Sequence, residues 1–416
     1  MSVFEYRNGS LYAENCDLNE IASLYGTPCY VYSRAAITEA YQNYAQALGD
    51  ENGLICYAVK ANSNLAVLQV LARLGAGFDI VSVGELERVL LAGGTPEKII
   101  FSGVGKTASE LRRALEVGIA CFNVESAAEL ELLANVAKEE GKIASISLRV
   151  NPDVDAQTHP YISTGLKENK FGIDIDTAVS TYQRAASLES IEIVGVDCHI
   201  GSQLVSVTPF LDALERVLAL LDRLEELGIH VQHLDLGGGI GVNYQGETPP
   251  DIHDYVNTVR QRLAGRNLKL IFEPGRSIVA NAGVLLTEVI YLKPTSEHNF
   301  AIVDAAMNDN IRPSLYQAWQ EIKPLKESTQ AETLSWDIVG PICESTDFLA
   351  KNRELALTDS SRLALMSSGA YGFVMSSNYN SRNRAAELLV DDKQVHLTRE
   401  RETFADIIRG EHLLKD

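Results

Sequence analysis

Lys60 is the residue of this sequence whose position first suggests chemistry. It ends the apolar run Leu54–Val59 and is followed by Ala-Asn-Ser-Asn. A lysine at the end of a strand usually marks the point where the strand meets water. A lysine amine is also the nucleophile that forms Schiff bases with carbonyl compounds. The polar residues that follow the other apolar runs decide between these two interpretations.

A glycine run and an arginine indicate an anion site. The segment LDLGGGIGVNY, at residues 234–244, offers several backbone N–H groups without side-chain obstruction, and EPGRS, at residues 273–277, adds Arg276. Backbone amides and helix N-termini bind phosphate in many folds, although a glycine run alone more often makes a tight turn. The spacing does not match the dinucleotide fingerprint GxGxxG, and no long helix follows. The sequence therefore favours phosphate without a dinucleotide fold.

A lysine and a phosphate site together suggest a Schiff base with pyridoxal phosphate. That cofactor needs an acidic group beside its ring nitrogen to act as an electron sink, and Glu273 is the candidate. His199 could lie against one face of the ring. A core histidine with a satisfied hydrogen bond is an equally good reading of His199 from the residue alone.

The elements that must position these residues form a repeat between Leu54 and Glu273. Eight short apolar runs alternate with amphipathic helical stretches such as NLAVLQVLARLGA and SAAELELLANVAKEE. The eight runs are LICYAV, FDIVSV, KIIFSG, IACFNV, ASISLRV, IVGVDCHI, VQHLDLGG and LKLIFEPG. This pattern predicts an α/β fold with a TIM-type (β/α)₈ barrel, and an open doubly wound sheet is the less favoured alternative.

A barrel carries its active site at the carboxyl ends of its strands. Polar or glycine-rich groups follow nearly every predicted strand, and they are Lys60, Ser102, Gly103, Glu125, Arg149, Asn151, His199, Ser202, Gly237 to Gly241, Glu273 and Arg276. Each alone could be an ordinary surface residue, but together they predict a single functional rim. The polar stretch Asp153–Ile173 could be a lid over that rim or a plain rim loop.

The pattern changes after Arg276. Strand-like segments such as GVLLTEVIYLK, NFAIVDA, LSWDIVG and QVHLTR follow one another with few helical stretches between them, which predicts a second, mostly β domain. At 416 residues the chain is also too long for one ordinary core. We expect a barrel at residues 26–282, a β-domain at residues 283–416, and an N-terminal segment, residues 1–25, that belongs to the β-domain.

Composition excludes several classes of function. The 36 basic and 56 acidic residues give a net charge of -20, which disfavours nucleic acid and anionic membrane surfaces as partners. The six cysteines show no CxxC and no paired spacing, so they predict neither a metal site nor a disulfide framework. An acidic, polar beginning and the lack of a long apolar run predict a cytoplasmic protein.

Six motifs in order resemble the fold-type III pyridoxal phosphate decarboxylases, and most closely the diaminopimelate decarboxylases among them. The motifs are YAVKAN, HIGSQ, GGGIG, EPGR, GPICES and GAYG. The resemblance covers almost the whole chain. It implies a barrel of the alanine racemase type joined to a β-domain, pyridoxal 5'-phosphate as cofactor, and a homodimer with shared active sites. It also implies decarboxylation of meso-2,6-diaminopimelate at its D centre, which yields L-lysine and CO₂ as the last step of lysine biosynthesis.

The resemblance also assigns roles to individual residues. The implied cofactor contacts are Lys60, His199, Ser202, Gly239, Glu273, Pro274, Gly275, Arg276 and Tyr371. The implied contacts to substrate are Arg276, Arg312, Tyr316, Glu344 and Tyr371. Cys343 is implied as the proton donor to Cα, supplied by the partner subunit. Lys60, His199 and Cys343 are therefore the expected catalytic residues.

Substrate choice depends on the far end of the substrate, because relatives of the same fold decarboxylate ornithine, arginine or lysine. Diaminopimelate carries a second ammonium and a second carboxylate there, and Arg312 and Glu344 supply the two complementary charges. An arginine that faces only a substrate ammonium would form no favourable charge-assisted hydrogen bond with it. The remaining alternatives are an ornithine or lysine decarboxylase, an alanine racemase, and a non-catalytic regulatory protein of the same fold.

Overall fold

The computed structural model describes residues 3–49, 53–155, 169–328 and 331–415 of the chain. These residues form two compact units. The barrel unit takes its residues from 38–243 and 247–278, and the β unit takes its residues from 1–37, 244–246 and 279–416. The predicted boundaries at residues 25 and 282 stay a prediction, and the compact units differ from them mainly by placing residues 26–37 in the β unit.

The elements of the described residues are numbered in chain order. The strands are β1 (Phe4–Arg7), β2 (Ser10–Ala13), β3 (Cys16–Asp17), β4 (Cys29–Ser33), β5 (Gly53–Ala58), β6 (Gly77–Ile80), β7 (Ile99–Phe101), β8 (Cys121–Val124), β9 (Ala144–Asn151), β10 (Ile173–Asp174), β11 (Ile191–Asp197), β12 (His233–Asp235), β13 (Lys269–Phe272), β14 (Gly283–Pro294), β15 (Asn299–Val303), β16 (Ile322–Pro324), β17 (Thr333–Val339), β18 (Phe348–Ala356), β19 (Arg362–Leu365), β20 (Ala386–Asp391) and β21 (Gln394–Arg399). The helices are α1 (Leu18–Tyr25), α2 (Arg34–Leu48), α3 (Leu65–Arg73), α4 (Val83–Leu91), α5 (Ala108–Val117), α6 (Ala127–Glu139), α7 (Ile175–Ala186), α8 (Thr208–Glu226), α9 (Ile252–Arg262), α10 (Arg276–Val279), α11 (Arg312–Tyr316) and α12 (Phe404–Ile407).

The barrel unit contains a closed ring of parallel strands. The order is β5-β6-β7-β8-β9-β11-β12-β13, and β13 pairs with β5 to close the ring. The short strand β10 pairs in parallel with the last two residues of β9. The eight predicted runs are these eight strands, so the predicted (β/α)₈ barrel is confirmed. Most strand residues are buried, which is why the runs are nearly continuous in apolar side chains and do not alternate with polar ones.

Polar side chains begin the helices that surround the barrel. The side chains of Ser82 and Ser126 accept hydrogen bonds from the third backbone N–H of α4 and α6, and Thr107 forms a capping box with Glu110 at the start of α5. These bonds satisfy backbone donors that a helix leaves unpaired. Each cap stands a few residues after a strand end, so it also sets where the chain turns at the rim.

The β unit is mostly sheet, as predicted from the segments after Arg276. Strands β1-β2-β3 form an antiparallel sheet, and the order β18-β17-β15-β14-β4-β20-β21 forms a larger mixed sheet to which β16 and β19 are attached. Phe4, Leu11 and Leu18 pack in the same buried cluster as Val284 and Leu286. The N-terminal residues therefore share the core of the β unit.

Two sequence expectations concern regions outside the sheets. Of the stretch Asp153–Ile173, residues 156–168 lie outside the described residues, so its proposed role as a lid stays a prediction. Among the described helices, none combines the length and the apolar character that a membrane span requires.

Candidate active site

Lys60 lies directly after β5, in a single 3₁₀ turn at Val59–Ala61. The chain then enters α3 through Asn64, whose side chain accepts a hydrogen bond from the backbone N–H of Ala66. The Lys60 amine lies 2.7 Å from Oδ2 of Asp79, which is in the neighbouring strand β6. The side chain of Lys60 is 37% exposed, whereas that of Asp79 is fully buried. The apolar strand thus delivers a lysine to a buried acid rather than to bulk water.

A row of charged side chains crosses neighbouring strands at the same level. Arg149 in β9 is paired in register with Asp197 in β11, and Asp197 is paired with Asp235 in β12. Carboxylate oxygens of Asp197, Asp235 and Glu273 lie within 4.8 Å of one another. Oδ1 of Asp197 and Oδ2 of Asp235 have no hydrogen-bond partner among the described residues. The floor of this rim therefore carries an excess of buried acidic groups.

Burial and mutual repulsion hold these acids closer to their neutral forms. Burial is the main cause that raises the pKa of Glu273 well above its usual value, and the charge of Asp235 adds to it. Burial raises the pKa of Asp235 to about 6, although a hydrogen bond from the Gly237 N–H opposes the shift. The pKa of Asp197 is raised for the same two reasons, burial first and then the charge of Asp235. Closely spaced carboxyl groups cannot all ionise, so the cluster favours a cationic or proton-donating partner.

His199 follows β11 and keeps a neutral ring. Burial lowers its pKa well below the usual value, and the nearby cations Arg149 and Lys60 lower it further. Its Nδ1 accepts a hydrogen bond from the backbone N–H of Gly238 at 3.2 Å. A neutral imidazole that accepts at Nδ1 carries its proton on Nε2. His199 is therefore an uncharged ring of fixed orientation, which is suited to packing on a flat aromatic group.

The residues predicted to surround a phosphate meet after the sixth, seventh and eighth strands of the barrel. Nε and Nη2 of Arg276 donate to the Ser202 hydroxyl at 3.1 and 3.0 Å. Gly239 has φ +109°, and a Cβ at this position would lie 2.6 Å from the carbonyl oxygen of Gly201. A Cβ on Gly238 would lie 2.3 Å from the carbonyl oxygen of Glu273. The run needs glycine here because the chain segments approach too closely for side chains.

Pro274 and Gly275 lie against the turn that carries Lys60. The backbone N–H of Ala58 donates to the Pro274 carbonyl at 3.1 Å. A Cβ on Gly275 would lie 3.0 Å from the Cβ of Ala61. The end of β13 and the lysine turn after β5 are therefore held together, as expected for neighbouring strands of a closed barrel.

These features of the barrel unit fit pyridoxal phosphate in three respects. Lys60 offers the amine that bonds to an aldehyde, and the buried acid cluster around Glu273 suits a protonated ring nitrogen. A phosphate would suit the remaining groups, which are Arg276, the Ser202 hydroxyl and the glycine segment. In that segment a Cβ would fill the available space. The unpaired oxygens of Asp197 and Asp235 add to the demand for positive charge at this depth.

Glu125 ties the loops of the rim together. Its carboxylate accepts hydrogen bonds from the backbone N–H groups of Gly103 at 2.7 Å and Gly172 at 3.2 Å. It also pairs with Nη1 of Arg149 at 3.2 Å. Of the other rim residues predicted from sequence, Ser102 accepts a hydrogen bond from the Asn123 side chain at 3.2 Å. One carboxylate thus links the strand-end residues Gly103 and Arg149 with Gly172.

The β unit carries the residues assigned to the substrate's distal end. Arg312 is buried at the start of α11, and its guanidinium lies over the Tyr244 ring at 5.0 Å. Tyr316 ends the same helix, and Gln317 follows it with a left-handed backbone at φ +54°. One short helix therefore presents both side chains, separated by about one turn.

Cys343 and Glu344 stand on an exposed turn of the β unit. The Glu344 carboxylate accepts hydrogen bonds from the Tyr379 hydroxyl at 2.6 Å and from the Thr346 hydroxyl at 3.0 Å, and these bonds, Tyr379 first, lower its pKa. The backbone N–H of Cys343 donates to the Asn380 side chain at 3.0 Å. Glu344 is therefore an oriented anion, as the distal ammonium of a substrate would require.

A buried carboxylate holds this turn in place. Asp347 accepts hydrogen bonds from the backbone N–H groups of Ile342 and Met307, each at 2.7 Å. A Cβ on Gly340 would lie 2.5 Å from Oδ2 of Asp347. The glycine of GPICES is thus required by the close approach of Asp347.

Tyr371 has a left-handed backbone, with φ +56°, between two glycines. A Cβ on Gly369 would lie 1.9 Å from the Val279 carbonyl oxygen, and one on Gly372 would lie 2.6 Å from the Ser368 carbonyl oxygen. The motif GAYG therefore encodes a tight turn that projects one tyrosine.

Gln320 joins two of these segments. Its side-chain amide donates to the carbonyls of Met366 and Ser367 and to the Ser368 hydroxyl, at 3.1, 3.2 and 2.9 Å. Its carbonyl accepts from the Asn310 side chain at 2.7 Å. Gln320 is fully buried, so it is a polar junction between the chain before Arg312 and the turn before Tyr371.

Sequence reasoning missed several residues of these networks. Asp79, Asp197 and Asp235 lie within the apolar runs FDI, VDC and LDL, and an acid flanked by apolar residues inside a strand was the available signal. Gln320 and Tyr379 had no such signal, because their partners are distant in sequence. The roles assigned to the predicted site residues remain predictions at this point.

Comparison with known proteins identifies the family. A family model described as pyridoxal-dependent decarboxylase, pyridoxal binding domain, matches residues 34–280. A diaminopimelate decarboxylase of Pseudomonas aeruginosa is 64% identical over 100% of both chains, and one of Vibrio cholerae is 57% identical over 100% of both. The chain belongs to the diaminopimelate decarboxylase family of pyridoxal-dependent decarboxylases.

The solved structures agree with this assignment. The crystal structure of diaminopimelate decarboxylase from Helicobacter pylori complexed with L-lysine is 44% identical, with a TM-score of 0.91, over 94% of this chain and 98% of that one. The family resemblance predicted from six motifs is thus confirmed, as are the alanine racemase type of fold and pyridoxal phosphate as the family's cofactor. Diaminopimelate decarboxylases are carboxy-lyases.

Proposed function

We propose that this chain decarboxylates meso-2,6-diaminopimelate at its D centre and releases L-lysine and CO₂, the last step of lysine biosynthesis. The observation that carries the proposal is the 64% identity, over the full length of both chains, to a diaminopimelate decarboxylase. The arrangement of Lys60, Glu273 and Arg276 supports it, because these residues offer an amine, an acid and an anion site on neighbouring strand ends of one barrel.

In this proposal the barrel unit holds the cofactor. Lys60 would supply the amine for its aldehyde, Glu273 would supply the acid for its ring nitrogen, and His199 would supply a neutral imidazole for its ring. Ser202, Gly239, Gly275 and Arg276 bind the phosphate, with Pro274 shaping the loop and Tyr371 contributing its hydroxyl. When bound, pyridoxal phosphate supplies an electron sink for the charge left on Cα as CO₂ departs.

The remaining residues orient substrate and move the proton. Arg312 and Tyr316 bind the distal carboxylate, Glu344 binds the distal ammonium, and Arg276 and Tyr371 contact the substrate near the cofactor. The hydrogen bonds that lower the pKa of Glu344 keep it anionic for this task. Cys343 of the partner subunit donates the proton to Cα, so the sulfur–hydrogen bond breaks as the new carbon–hydrogen bond forms.

A homodimer with shared active sites and a cytoplasmic location complete the proposal. Support for the shared site comes from Cys343 and Glu344, which are both exposed in the single chain. Support for a reducing compartment comes from the six cysteines, none of which forms a disulfide. The acidic charge of the chain argues against nucleic acid and anionic membranes as partners.

A substrate panel tests the proposal. Purified protein loaded with pyridoxal phosphate should release CO₂ from meso-diaminopimelate and not at a comparable rate from L-ornithine, L-lysine, L-arginine or the LL isomer of diaminopimelate. Discrimination by at least about 10³-fold is expected, because a substrate without the distal carboxylate cannot make the charge-assisted contact that we propose for Arg312. Comparable release from ornithine or lysine would assign a polyamine pathway instead, and no release from any of them would indicate a regulatory protein.

A further inference from the structure

Asp79 is a buried acid next to the lysine that the proposed function places on the cofactor. It lies in β6, in register with Ala58 of β5, two residues before Lys60. Its Oδ2 lies 2.7 Å from the lysine amine, and its Oδ1 has no hydrogen-bond partner among the described residues. A buried carboxylate is costly unless a cation compensates it. The Lys60 amine is the compensating cation.

A second lysine–acid pair in the same barrel shows what a purely structural pair looks like. Lys106 lies 2.7 Å from Glu129, and it also donates to the carbonyls of Gly103 and Asn123, each at 2.8 Å. Its side chain is fully buried. Three acceptors saturate the three donors of that ammonium. Lys60 differs, because its acid is also buried while the lysine side chain itself is more than one third exposed at the rim.

We propose that Asp79 is a positioning residue for Lys60: its carboxylate holds the lysine amine at the end of β5 and keeps a negative charge beside the lysine nitrogen. The inference rests on the proposed function. The ion pair would keep a lysine amine that is not bonded to the cofactor at the end of β5, where it is needed for the next turnover. The same charge favours the proton-bearing form of the lysine nitrogen, whether the amine is bonded or released.

The charges around Asp79 determine the sign of the expected effect. Besides Lys60, the charge of Asp79 acts on Cys56 in β5, Glu85 in α4, Arg149 in β9, Asp197 in β11, Asp235 in β12 and Glu273 after β13. Removing the charge of Asp79 lowers the pKa of the four acids among them and makes that part of the cluster more negative. This indirect effect opposes the direct one. We expect the direct effect to win because Asp79 is in hydrogen-bond contact with the lysine nitrogen.

The experiment is a pH titration of the visible absorption of the full-length holoenzyme, which reports the proton on the lysine nitrogen. Asp79→Asn keeps the size of the side chain and removes its charge. We expect its titration midpoint to fall by about one to two pH units. Its kcat should fall while the KM for diaminopimelate changes little, because Asp79 is not proposed to touch the substrate. Glu129→Gln is the matched control, since it breaks the other buried lysine pair and should leave the midpoint unchanged.

Asp79→Glu keeps the charge on a longer side chain and serves as a second test if Asp79→Asn does not fold. Its midpoint should stay within about half a unit of the parent enzyme, and its kcat should fall because the lysine is misplaced. An unmoved or raised midpoint in Asp79→Asn, an equal shift in Glu129→Gln, or full kcat in Asp79→Glu would each overturn the inference. Failure of the proposed function would appear differently, as a parent enzyme that does not decarboxylate diaminopimelate at all.

Discussion

The barrel unit and the β unit hold their site residues in opposite ways. Lys60, His199 and Glu273 follow strands of a closed ring, where backbone pairing sets the position of each strand end. Arg312, Cys343 and Tyr371 stand on a five-residue helix and two turns, and Tyr371 has a left-handed backbone. Of the barrel residues Glu273 is buried and Lys60 and His199 are partly buried, whereas Cys343 and Glu344 of the β unit are exposed.

This difference indicates two ways of positioning a side chain. A strand end in a barrel is fixed by the hydrogen bonds of two neighbouring strands, so it tolerates the repulsion of several buried acids. A turn has no such ladder, and in the β unit buried polar side chains replace it. Asp347 holds the turn with Cys343, and Gln320 links the segments that lead to Arg312 and Tyr371. We therefore expect most changes in the barrel unit to affect the cofactor and most changes in the β unit to affect the substrate; Arg276 and Tyr371 are the exceptions, because we propose that both contact cofactor and substrate.

The largest effect is expected from Lys60→Ala. Without the amine the cofactor has no covalent attachment, so both the visible absorption of the lysine-bound cofactor and turnover should be lost, the latter by at least about 10⁴-fold. Absorption spectra and CO₂ release measure the two losses. Lys138→Ala, an exposed lysine on α6, is the control. Persistence of both signals in Lys60→Ala would refute the assignment of this lysine.

Arg312→Leu should distinguish the role of the β unit from that of the barrel unit. Loss of the contact that we propose between Arg312 and the distal carboxylate predicts a decrease in kcat/KM for diaminopimelate of about 10² to 10³-fold. The absorption and retention of the cofactor should remain those of the parent enzyme. Arg312→Lys keeps the charge without the planar fork and should recover only part of the loss. Arg409→Leu, at an exposed arginine of the same unit, should behave as the parent. An equal loss of cofactor and turnover in Arg312→Leu would contradict the division between units.

A smaller effect is expected from Gln320→Leu, which removes the polar junction of the β unit. The two carbonyls, the Ser368 hydroxyl and the Asn310 amide would lose their hydrogen bonds to Gln320, at a cost of about 2 to 3 kcal/mol in unfolding free energy. We also expect a decrease in kcat/KM of roughly tenfold, from misplacement of Arg312 and Tyr371. Thermal unfolding and steady-state kinetics measure both. Gln394→Leu, an exposed position in β21, is the control, and unchanged kinetics in Gln320→Leu would show that the turns hold their geometry without it.

The candidate site residues of the two units were predicted from different kinds of sequence signal. Lys60, Glu273 and His199 were predictable because a (β/α)₈ pattern names the strand ends in advance, and chemistry is expected there. Arg312, Glu344 and Tyr371 emerged only from the order of the motifs, since no period of the sequence points to a turn. Asp79, Asp197 and Asp235 were read as parts of apolar strands. Their grouping depends on strand register, and Asp197 meets Asp235 only because β11 and β12 pair at that level.

Periodicity specified eight strands and their helices, and local chemistry indicated a lysine, an acid and a candidate anion site. Both kinds of signal depend on residues near one another in the chain. The partners of those residues are long-range. The contact of Lys60 with Asp79 spans 19 residues and that of Gln320 with Ser368 spans 48. Such contacts exist only once the sheets have formed. The ion pair of Lys60 with Asp79, and the hydrogen bonds by which Gln320 holds the turn before Tyr371, are therefore properties of the folded chain.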